Sequence, residues 1–322
     1  MSEVAAIDVA SGRVTVSGIT VTVTNAGKVL FPDDGITKGE LIEYYAGAAG
    51  RILPYLRGRP LTMERYPDGI TGERIVQKNI GSRAPGWVSR IEVKKQGGTV
   101  CHAVCDKPAT LVYLANLACI EPHVFLSRAG ALDRPDQLVV DLDPPGAAHF
   151  GDARRCALWL RELLEGELGL TSYVKTTGGN GLHVHVPLNS RDDFEEARGF
   201  AHEAAELLAA RHPGVITTEQ RKNMRGGRVY ADVMRNSFAQ TAVAPYAVRA
   251  RPGAPVATPL HWAEAEDPSL APGRFTIRTI AARLGETEDP WGDMPRRRYG
   301  ASAARRRLRD LAGAAGKGAA GK

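Results

Sequence analysis

Two aspartates separated by one residue lie at the end of an apolar run, LVVDLD, over residues 138–143. In a strand, Asp141 and Asp143 point to one face and Leu142 to the other, because side chains alternate with a period of two. Two carboxylates on one face of an apolar strand are costly to bury without compensating charge. A pair of Mg²⁺ or Mn²⁺ ions would supply that charge, since hard cations prefer carboxylate oxygen. A solvated strand end is the alternative, and this short pattern taken alone favours it.

A glycine-rich turn follows in the segment KTTGGNGLHVHVPL, residues 175–188. Residues 177–181 include three glycines, which allow backbone N–H groups to approach a phosphate closely. His183 and His185 share one face of the next strand. His183 is nearer the turn and is the candidate for a phosphate contact or a proton donor, whereas His185 is interpreted as a core histidine. An ordinary hairpin turn is the alternative interpretation of the glycines.

A third carboxylate, Asp232, lies in the strand-like segment VYADVM, residues 229–234. Arg235 and Arg249 follow it and offer charge-assisted hydrogen bonds to phosphate oxygens. Two divalent ions held by three carboxylates can activate a hydroxyl and stabilise a leaving pyrophosphate. The residues alone therefore predict metal-dependent phosphoryl transfer on a polyanion.

The elements that must position these residues mix strands and helices without regular alternation or repeats. The spacing predicts a hairpin at 13–23, strands at 138–143, 172–177, 182–188, 229–234 and 241–248, and helices beginning near 37 and at 106–118, 152–168, 193–211 and 275–284. This order favours an α+β fold over a doubly wound sheet.

Size and composition are those of a soluble globular protein of 322 residues, built as one large domain or two coupled ones. No apolar run approaches the roughly 20 residues of a membrane span, and the N-terminus lacks signal-peptide features. We therefore expect a cytoplasmic, nucleoid-associated protein that does not bind membranes. The four cysteines (Cys101, Cys105, Cys119 and Cys156) favour buried free thiols over disulfides or a zinc site.

The net charge of +6 is concentrated at the C-terminus. Residues 296–322 contain nine Lys or Arg and one Asp, whereas residues 1–295 have a net charge of −2. Positive groups in the body must therefore be clustered if the protein binds DNA. The tail is interpreted as a disordered basic arm, which either contacts phosphates or serves only solubility.

Taken together, these motifs resemble the archaeal and eukaryotic primase-polymerase superfamily, and in particular the polymerase domain of bacterial ligase D. DLDP at 141–144, TTGGNGLHVHVPL at 176–188 and the long segment at 231–262 are similar to that family's three motifs. The resemblance covers residues 20–285. It implies a primase-polymerase fold whose catalytic sheet is RRM-like and is coupled to a β-rich N-terminal portion.

The resemblance also implies roles for individual residues. Asp141, Asp143 and Asp232 would be the catalytic metal ligands. The residues implied to contact the incoming nucleotide are Thr177, Asn180, His183, Arg235, Arg249 and His123. The segment NAGKVLFPDDGITK resembles a binding site for the 5′-phosphate beyond a DNA gap, and its matching residues are Asn25, Lys28 and Lys38.

Three features depart from the family pattern. Asn180 replaces a lysine, so we expect weaker nucleotide affinity or a substitute cation nearby. Ile75 and Val76 replace aromatic residues that would stack on a template base, a contact worth roughly 1–3 kcal/mol. No ligase or nuclease module follows the polymerase-like region, so we expect a free-standing polymerase that recruits its ligase.

The combined prediction is a nucleotidyltransferase that uses two Mn²⁺ or Mg²⁺ ions to add nucleotides, preferably ribonucleotides, to a primer 3′-hydroxyl. Its partners would be DNA with gaps, overhangs or breaks, NTP or dNTP, a separate DNA ligase and a Ku-like protein. Residues 1–295 would form the polymerase domain, with a DNA-end-binding portion at 13–125 and a catalytic portion at 126–285. A metal-dependent nuclease or phosphodiesterase and a non-catalytic DNA-end binder are the alternatives.

Overall fold

The structure, a computed structural model, describes residues 9–319, with side chains up to residue 311. Its strands are numbered here in chain order. They are β1 (Arg13–Val16), β2 (Ile19–Thr22), β3 (Val29–Phe31), β4 (Ile36–Thr37), β5 (Leu61–Arg65), β6 (Ile75–Gln77), β7 (Ser89–Lys95), β8 (Gly98–Val104), β9 (Cys119–Phe125), β10 (Ser127–Arg128), β11 (Ala131–Pro135), β12 (Gln137–Asp143), β13 (Tyr173–Thr176), β14 (Leu182–Pro187), β15 (Ile216–Thr217), β16 (Val229–Asp232), β17 (Thr241–Val243) and β18 (Pro259–Leu260).

The α-helices of the described residues are interspersed among these strands. They are α1 (Lys38–Gly47), α2 (Ala49–Leu56), α3 (Pro108–Asn116), α4 (Phe150–Arg161), α5 (Phe194–Arg211), α6 (Trp262–Glu266), α7 (Ile280–Glu286) and α8 (Ala301–Ala319). A π-helical turn, Glu162–Glu167, continues α4. Over this described part of the chain, no helix has both the length and the apolar character needed to cross a bilayer. The mixture of helices and antiparallel sheets confirms the predicted α+β class.

The chain forms two compact units, and each is built from separate segments. The first contains the described residues up to Gly130 together with Thr241–Thr258 and Gly273–Asp289. The second contains Ala131–Gln240, Pro259–Pro272 and the described residues from Pro290 onward. The sequence predicted two continuous portions, 13–125 and 126–285. It did not predict that Thr241–Thr258 and Gly273–Asp289 belong to the first unit.

The first unit is built on a four-stranded sheet of order β17-β9-β5-β6. The predicted hairpin is present as β1 and β2, and its turn residues Ser17 and Gly18 have φ values of 49° and 75°. Helix α1 begins at a capping box, because the Thr37 side chain accepts from the Glu40 N–H while the Glu40 carboxylate accepts from the Thr37 N–H. The Tyr45 hydroxyl of α1 donates to the carbonyl of Ile120 at 2.7 Å, which fixes this helix to β9.

The second unit is built on a six-stranded sheet of order β15-β16-β12-β14-β13-β18. Neighbouring strands are antiparallel, except that β15 and β16 are parallel. Every residue of β14 is buried, and in β12 the buried Leu142 separates the less buried Asp141 and Asp143, as predicted. Helix α5 begins after Asp193, whose carboxylate accepts from the Glu196 N–H at 2.9 Å.

The prediction of a disordered arm at 296–322 is wrong for the described residues, because α8 covers Ala301–Ala319. Leu308 is buried, and the Arg305 and Arg309 guanidinium groups lie 2.8 and 2.6 Å from the Glu203 carboxylate of α5. The Arg305 side chain lies against Gly199 of α5, where a Cβ would be 2.5 Å from the guanidinium carbon and would require the arginine to shift. The arginines therefore pair with an acidic helix about a hundred residues away, a partnership that local charge counting does not detect.

Candidate active site

The central strands of the six-stranded sheet align the charged residues in one row. Asp141 of β12 lies directly opposite Asp232 of β16 on one side and His183 of β14 on the other. Lys175 of β13 lies opposite His183 and is fully buried. Strand register thus places two predicted metal ligands and the predicted histidine side by side. Lys175 was not anticipated from the sequence, because its place in the row depends on the register of β13.

Asp141 and His183 form a hydrogen-bonded pair, with 3.4 Å between His183 Nε2 and Asp141 Oδ2. Burial lowers the pKa of His183 to about 4, assisted by the positive charge of Lys175. Burial alone would raise the pKa of Asp141, but His183, Arg235 and Lys175 together lower it below its usual range. At neutral pH the histidine is therefore a neutral donor to an ionised Asp141. Because His183 Nε2 faces the aspartate, the structure shows His183 as a hydrogen-bond partner of Asp141.

Asp143 and Asp232 are each held by a separate donor. Arg225 lies 3.5 Å from the Asp143 carboxylate, and its guanidinium group stacks 4.0 Å above the ring of Tyr230. The Asp232 carboxylate accepts from the Met234 N–H at 2.8 Å. Burial, reinforced by the neighbouring charge of Asp141, raises the pKa values of Asp143 and Asp232. Arg225 was absent from the sequence-based site, although the basic run RKNMRGGR just before β16 could have indicated it.

The donor chemistry of this row suits a hard divalent cation. Three carboxylates lie on adjacent strands, and burial together with the neighbouring charge of Asp141 raises the pKa values of two of them, Asp143 and Asp232. Asp141, Asp143 and Asp232 would be the residues that hold such an ion. Their oxygens are not all mutually within 4.8 Å; among the described residues, Glu64, Glu121 and His123 of the first unit meet that spacing.

The glycine turn between β13 and β14 packs directly on the end of β12. The Thr177 hydroxyl accepts from the N–H groups of Gly179 and Gly181 at 3.1 and 3.3 Å, which closes the turn. A Cβ at Gly181 would lie 2.4 Å from the carbonyl oxygen of Leu142, so no larger residue fits there. Asn180 is half-buried in this turn. The turn that carries Thr177 and Asn180 is therefore adjacent to the strand that carries Asp141 and Asp143.

A buried amide positions the segment that follows Asp232. The Asn236 side chain accepts from the Val139 N–H at 2.8 Å and donates to the Val139 carbonyl at 2.6 Å. It thus continues the hydrogen-bond ladder of β12 past the end of β16. Arg235 is exposed next to this anchor, and its charge acts on both Asp141 and Asp232. Sequence reasoning identified Arg235 and missed Asn236, because nothing in the local pattern distinguishes this Asn from a loop residue.

The remaining nucleotide candidates, His123 and Arg249, belong to the first unit. Glu121 accepts from Arg249 Nε at 2.7 Å and lies 3.3 Å from His123 Nε2 through the same carboxylate oxygen. Glu64, opposite Glu121 across β5 and β9, lies 3.6 Å from His123 Nε2 and 3.3 Å from Arg74. Glu121 of β9, which was not predicted, therefore joins His123 of the same strand to Arg249 of the segment after β17.

The three residues predicted to bind a 5′-phosphate are also brought together in the first unit. Asn25 opens a turn with φ of 50°, closed by the Lys28 N–H donating to its carbonyl at 3.0 Å, and the Lys38 N–H donates to the Lys28 carbonyl at 2.8 Å. Lys28 Nζ contacts Asp68 at 2.6 Å. Burial, followed by repulsion from Lys28, lowers the pKa of Lys38. Two close cations at the N-terminus of α1 create positive potential suited to an anion.

Ile75 and Val76 lie on β6, the edge strand of the four-stranded sheet, and expose 37% and 48% of their surface. Their exposure is compatible with a contact to a base, although neither side chain offers an aromatic face. The four cysteines are free thiols, and His102 bonds the Leu61 carbonyl at 2.8 Å.

Comparison with known proteins identifies the family. A family model described as the primase-polymerase domain of LigD matches residues 37–291. The chain belongs to this LigD primase-polymerase family. The result confirms the resemblance inferred from the three motifs.

Relatives of the LigD family show how far the similarity extends. The chain is 35% identical over 275 residues to the multifunctional non-homologous end joining DNA repair protein LigD of Mycobacterium tuberculosis, covering 83% of this chain and 36% of that protein. It is 33% identical over 274 residues to the bifunctional LigD of Bacillus subtilis, covering 85% and 44%. The chain thus spans less than half the length of these relatives.

A solved structure, the polymerase domain from Mycobacterium tuberculosis ligase D in complex with DNA, has a TM-score of 0.80 and 32% sequence identity to this chain. The match covers 85% of this chain and 97% of that one. The predicted primase-polymerase fold is therefore confirmed.

Proposed function

We propose that this protein transfers a nucleoside monophosphate from a nucleoside triphosphate to the 3′-hydroxyl of a DNA primer, releasing pyrophosphate. The observation that carries the proposal is the placement of Asp141, Asp143 and Asp232 on adjacent strands of a LigD-family fold. The similar solved domain is named as a polymerase in complex with DNA, which supports a DNA substrate. The curated relatives are named for non-homologous end joining, which supports work at breaks and short gaps.

The three aspartates would hold Mg²⁺ or Mn²⁺, which when bound supplies positive charge for the triphosphate and activates the attacking hydroxyl. The protein's own groups orient the reactants. His183 holds the Asp141 carboxylate through Nε2. Arg235 and Arg225 add positive charge beside the aspartates, where phosphate oxygens would lie. The glycine turn lies adjacent to the same strand end, and we propose that its Asn180 amide contacts the triphosphate, while Thr177 holds the turn closed through the Gly179 and Gly181 N–H groups.

We propose that Asn25, Lys28 and Lys38 bind the 5′-phosphate on the far side of the gap. The Lys28 and Lys38 ammonium groups and the Asn25 amide would provide charge and donors for one phosphate dianion. Asp68 pairs with Lys28 and would exchange with that phosphate. Ribonucleotide preference and a Ku-like partner are part of the same proposal and rest on family membership.

Primer extension on a 5′-phosphorylated one-nucleotide gap, with Mn²⁺ or Mg²⁺ and either NTP or dNTP, tests the proposal. We expect extension by the wild-type protein and at least a hundredfold loss in Asp143→Ala. Asp310→Ala, which alters an exposed aspartate of α8 in the same unit, serves as the matched control and should extend normally.

Three other results would contradict the proposal in different ways. Shortening of the primer would indicate a nuclease. Tight binding of gapped DNA without extension, unchanged in Asp141→Ala, would indicate a DNA-end binder. Equal extension by Asp143→Ala and the wild-type protein would remove the aspartates from the reaction.

A further inference from the structure

A buried glutamate of the first unit, Glu121, has a role that the sequence does not reveal. It lies on β9, exposes 4% of its surface and faces Glu64 across the strand pair. A buried carboxylate is costly unless charge and hydrogen bonds compensate it. The environment of Glu121 supplies both, since the pKa of its carboxyl is lowered to about 2: burial opposes this shift, and His123, Arg249 and the Ala250 N–H outweigh it.

The contacts of Glu121 converge on His123 and Arg249, which the resemblance to the primase-polymerase family implies contact the incoming nucleotide. One carboxylate oxygen, Oε2, accepts from Arg249 Nε at 2.7 Å and contacts His123 Nε2 at 3.3 Å. The other, Oε1, accepts from the Ala250 N–H at 2.7 Å, next to Arg249 in the chain. A single oxygen that bonds both side chains limits how far apart they can move. The backbone contact additionally fixes the carboxylate itself.

The spacing of Glu64, Glu121 and His123 would also admit a metal ion, but the local charge argues against one. Arg74 contacts Glu64 and Arg249 contacts Glu121, so each carboxylate already has a guanidinium partner. A divalent ion would have to enter beside two arginines and a histidine. These ion pairs instead favour a network in which the two carboxylates hold the neighbouring side chains in fixed positions.

We propose that Glu121 is a positioning residue that holds Arg249 and His123 in the arrangement with which they bind the triphosphate. The inference rests on the proposed function for the identity of the ligand. Its physical basis is preorganisation, because a flexible arginine loses less conformational entropy on binding when a buried carboxylate already orders it. Glu121 would act through these two side chains without touching the nucleotide.

Equilibrium binding of ATP in the presence of MnCl₂, measured by calorimetry, tests this role. Glu121→Gln keeps the shape and the bond from Ala250 while removing the charge that holds Arg249 and His123. We expect its Kd for ATP to rise about tenfold, while its affinity for gapped DNA stays unchanged. Glu92→Gln, an exposed glutamate on β7 of the same unit, is the matched control and should bind ATP normally.

A double-mutant cycle separates positioning from a general structural effect. If Glu121 acts through Arg249 and His123, the loss of ATP affinity in the double variant Glu121→Gln/Arg249→Ala will be smaller than the product of the losses in the two single variants. Independent, multiplying losses would overturn the inference, as would an unchanged Kd in Glu121→Gln. Thermal unfolding shows whether each variant is folded. If Glu121→Gln is unfolded, Glu121→Asp replaces it in the same binding measurements, because Asp keeps the buried charge on a shorter side chain.

The same measurements distinguish this inference from the proposed function. A wild-type protein that binds ATP through the Glu121–Arg249 pair but does not extend a primer would contradict the polymerase proposal alone. A wild-type protein that extends primers, with Glu121→Gln binding ATP normally, would contradict the positioning role alone. Absence of ATP binding by the wild-type protein would overturn the inference directly.

Discussion

Asn180 lies half-buried in the turn between β13 and β14, next to the strand that carries the aspartates. An amide can donate a hydrogen bond to a phosphate but supplies no charge, whereas hydrogen bonds from a charged donor are about twice as strong. We therefore expect Asn180→Lys to lower the apparent KM for nucleotide by roughly 3–10-fold in the gap-extension assay. The turn itself should be unaffected, because Thr177 closes it through backbone N–H groups of glycines.

Asn180→Gln is the control for this change, since it lengthens the side chain without adding charge. We expect its KM to remain at the wild-type value. An unchanged KM in Asn180→Lys would mean that a cation already present, with Arg235 and Arg225 as the candidates beside the aspartates, supplies the missing charge.

Glu121 also makes a pH-dependent contribution to stability. The pKa of its carboxyl is lowered to about 2 in the folded protein, against an ordinary value near 4.5. A lowered pKa stabilises the folded state above the unfolded pKa, and this stability is lost as pH falls from about 4.5 towards 2. The full contribution is on the order of 3 kcal/mol.

Urea unfolding of the wild-type protein and Glu121→Gln between pH 7 and pH 3 checks this expectation. The difference in unfolding free energy should be largest at neutral pH and shrink as the pH falls below 4.5. A difference that is constant across this range would mean that the carboxylate charge is not what stabilises the network.

At the scale of elements, alternation along β12 correctly predicted that Asp141 and Asp143 share a face. The lateral neighbours of Asp141 could not be predicted, because they depend on the register with β14 and β16, and register is set by contacts distant in sequence. Fully buried Lys175 illustrates the limit, since a lysine in a strand ordinarily indicates a solvent-facing position. Motifs therefore indicated the candidate metal ligands, whereas the residues beside them became visible only in the sheet.

Asn236 is an anchor at this same scale, joining the segment after β16 to β12. Asn236→Ala would leave the buried N–H and carbonyl groups of Val139 without their side-chain partner. We expect a loss of about 1–3 kcal/mol in unfolding free energy, together with reduced extension because Arg235 and Asp232 lose a fixed neighbour. Gln240→Ala, at an exposed position of the same segment, should change neither quantity. Wild-type stability in Asn236→Ala would contradict the anchoring role.

At the scale of the whole molecule, the sequence predicted the α+β class. It did not predict that each compact unit is built from several separate segments of the chain. Strand β17 pairs with β9 over more than a hundred intervening residues, and local periodicity contains no information about such a pairing. The same limitation explains the incorrect assignment of the C-terminal arm. A run of arginines suggests disorder until an acidic helix is known to lie beside it.

Helix α8 should therefore stabilise the second unit, and two truncated chains test this. Ending the chain at Gly300 would expose the surface that covers Leu308 and would leave Glu203 without its two arginines. We expect a loss on the order of 2–4 kcal/mol in unfolding free energy, mostly from lost apolar burial. Ending the chain at Leu311 retains those contacts and should leave stability unchanged.

Tryptophan fluorescence suits the measurement, because Trp159, Trp262 and Trp291 lie in the second unit. Equal stability of the two truncated chains would contradict the stabilising role of α8 and would support the interpretation of its arginines as a solvated basic arm.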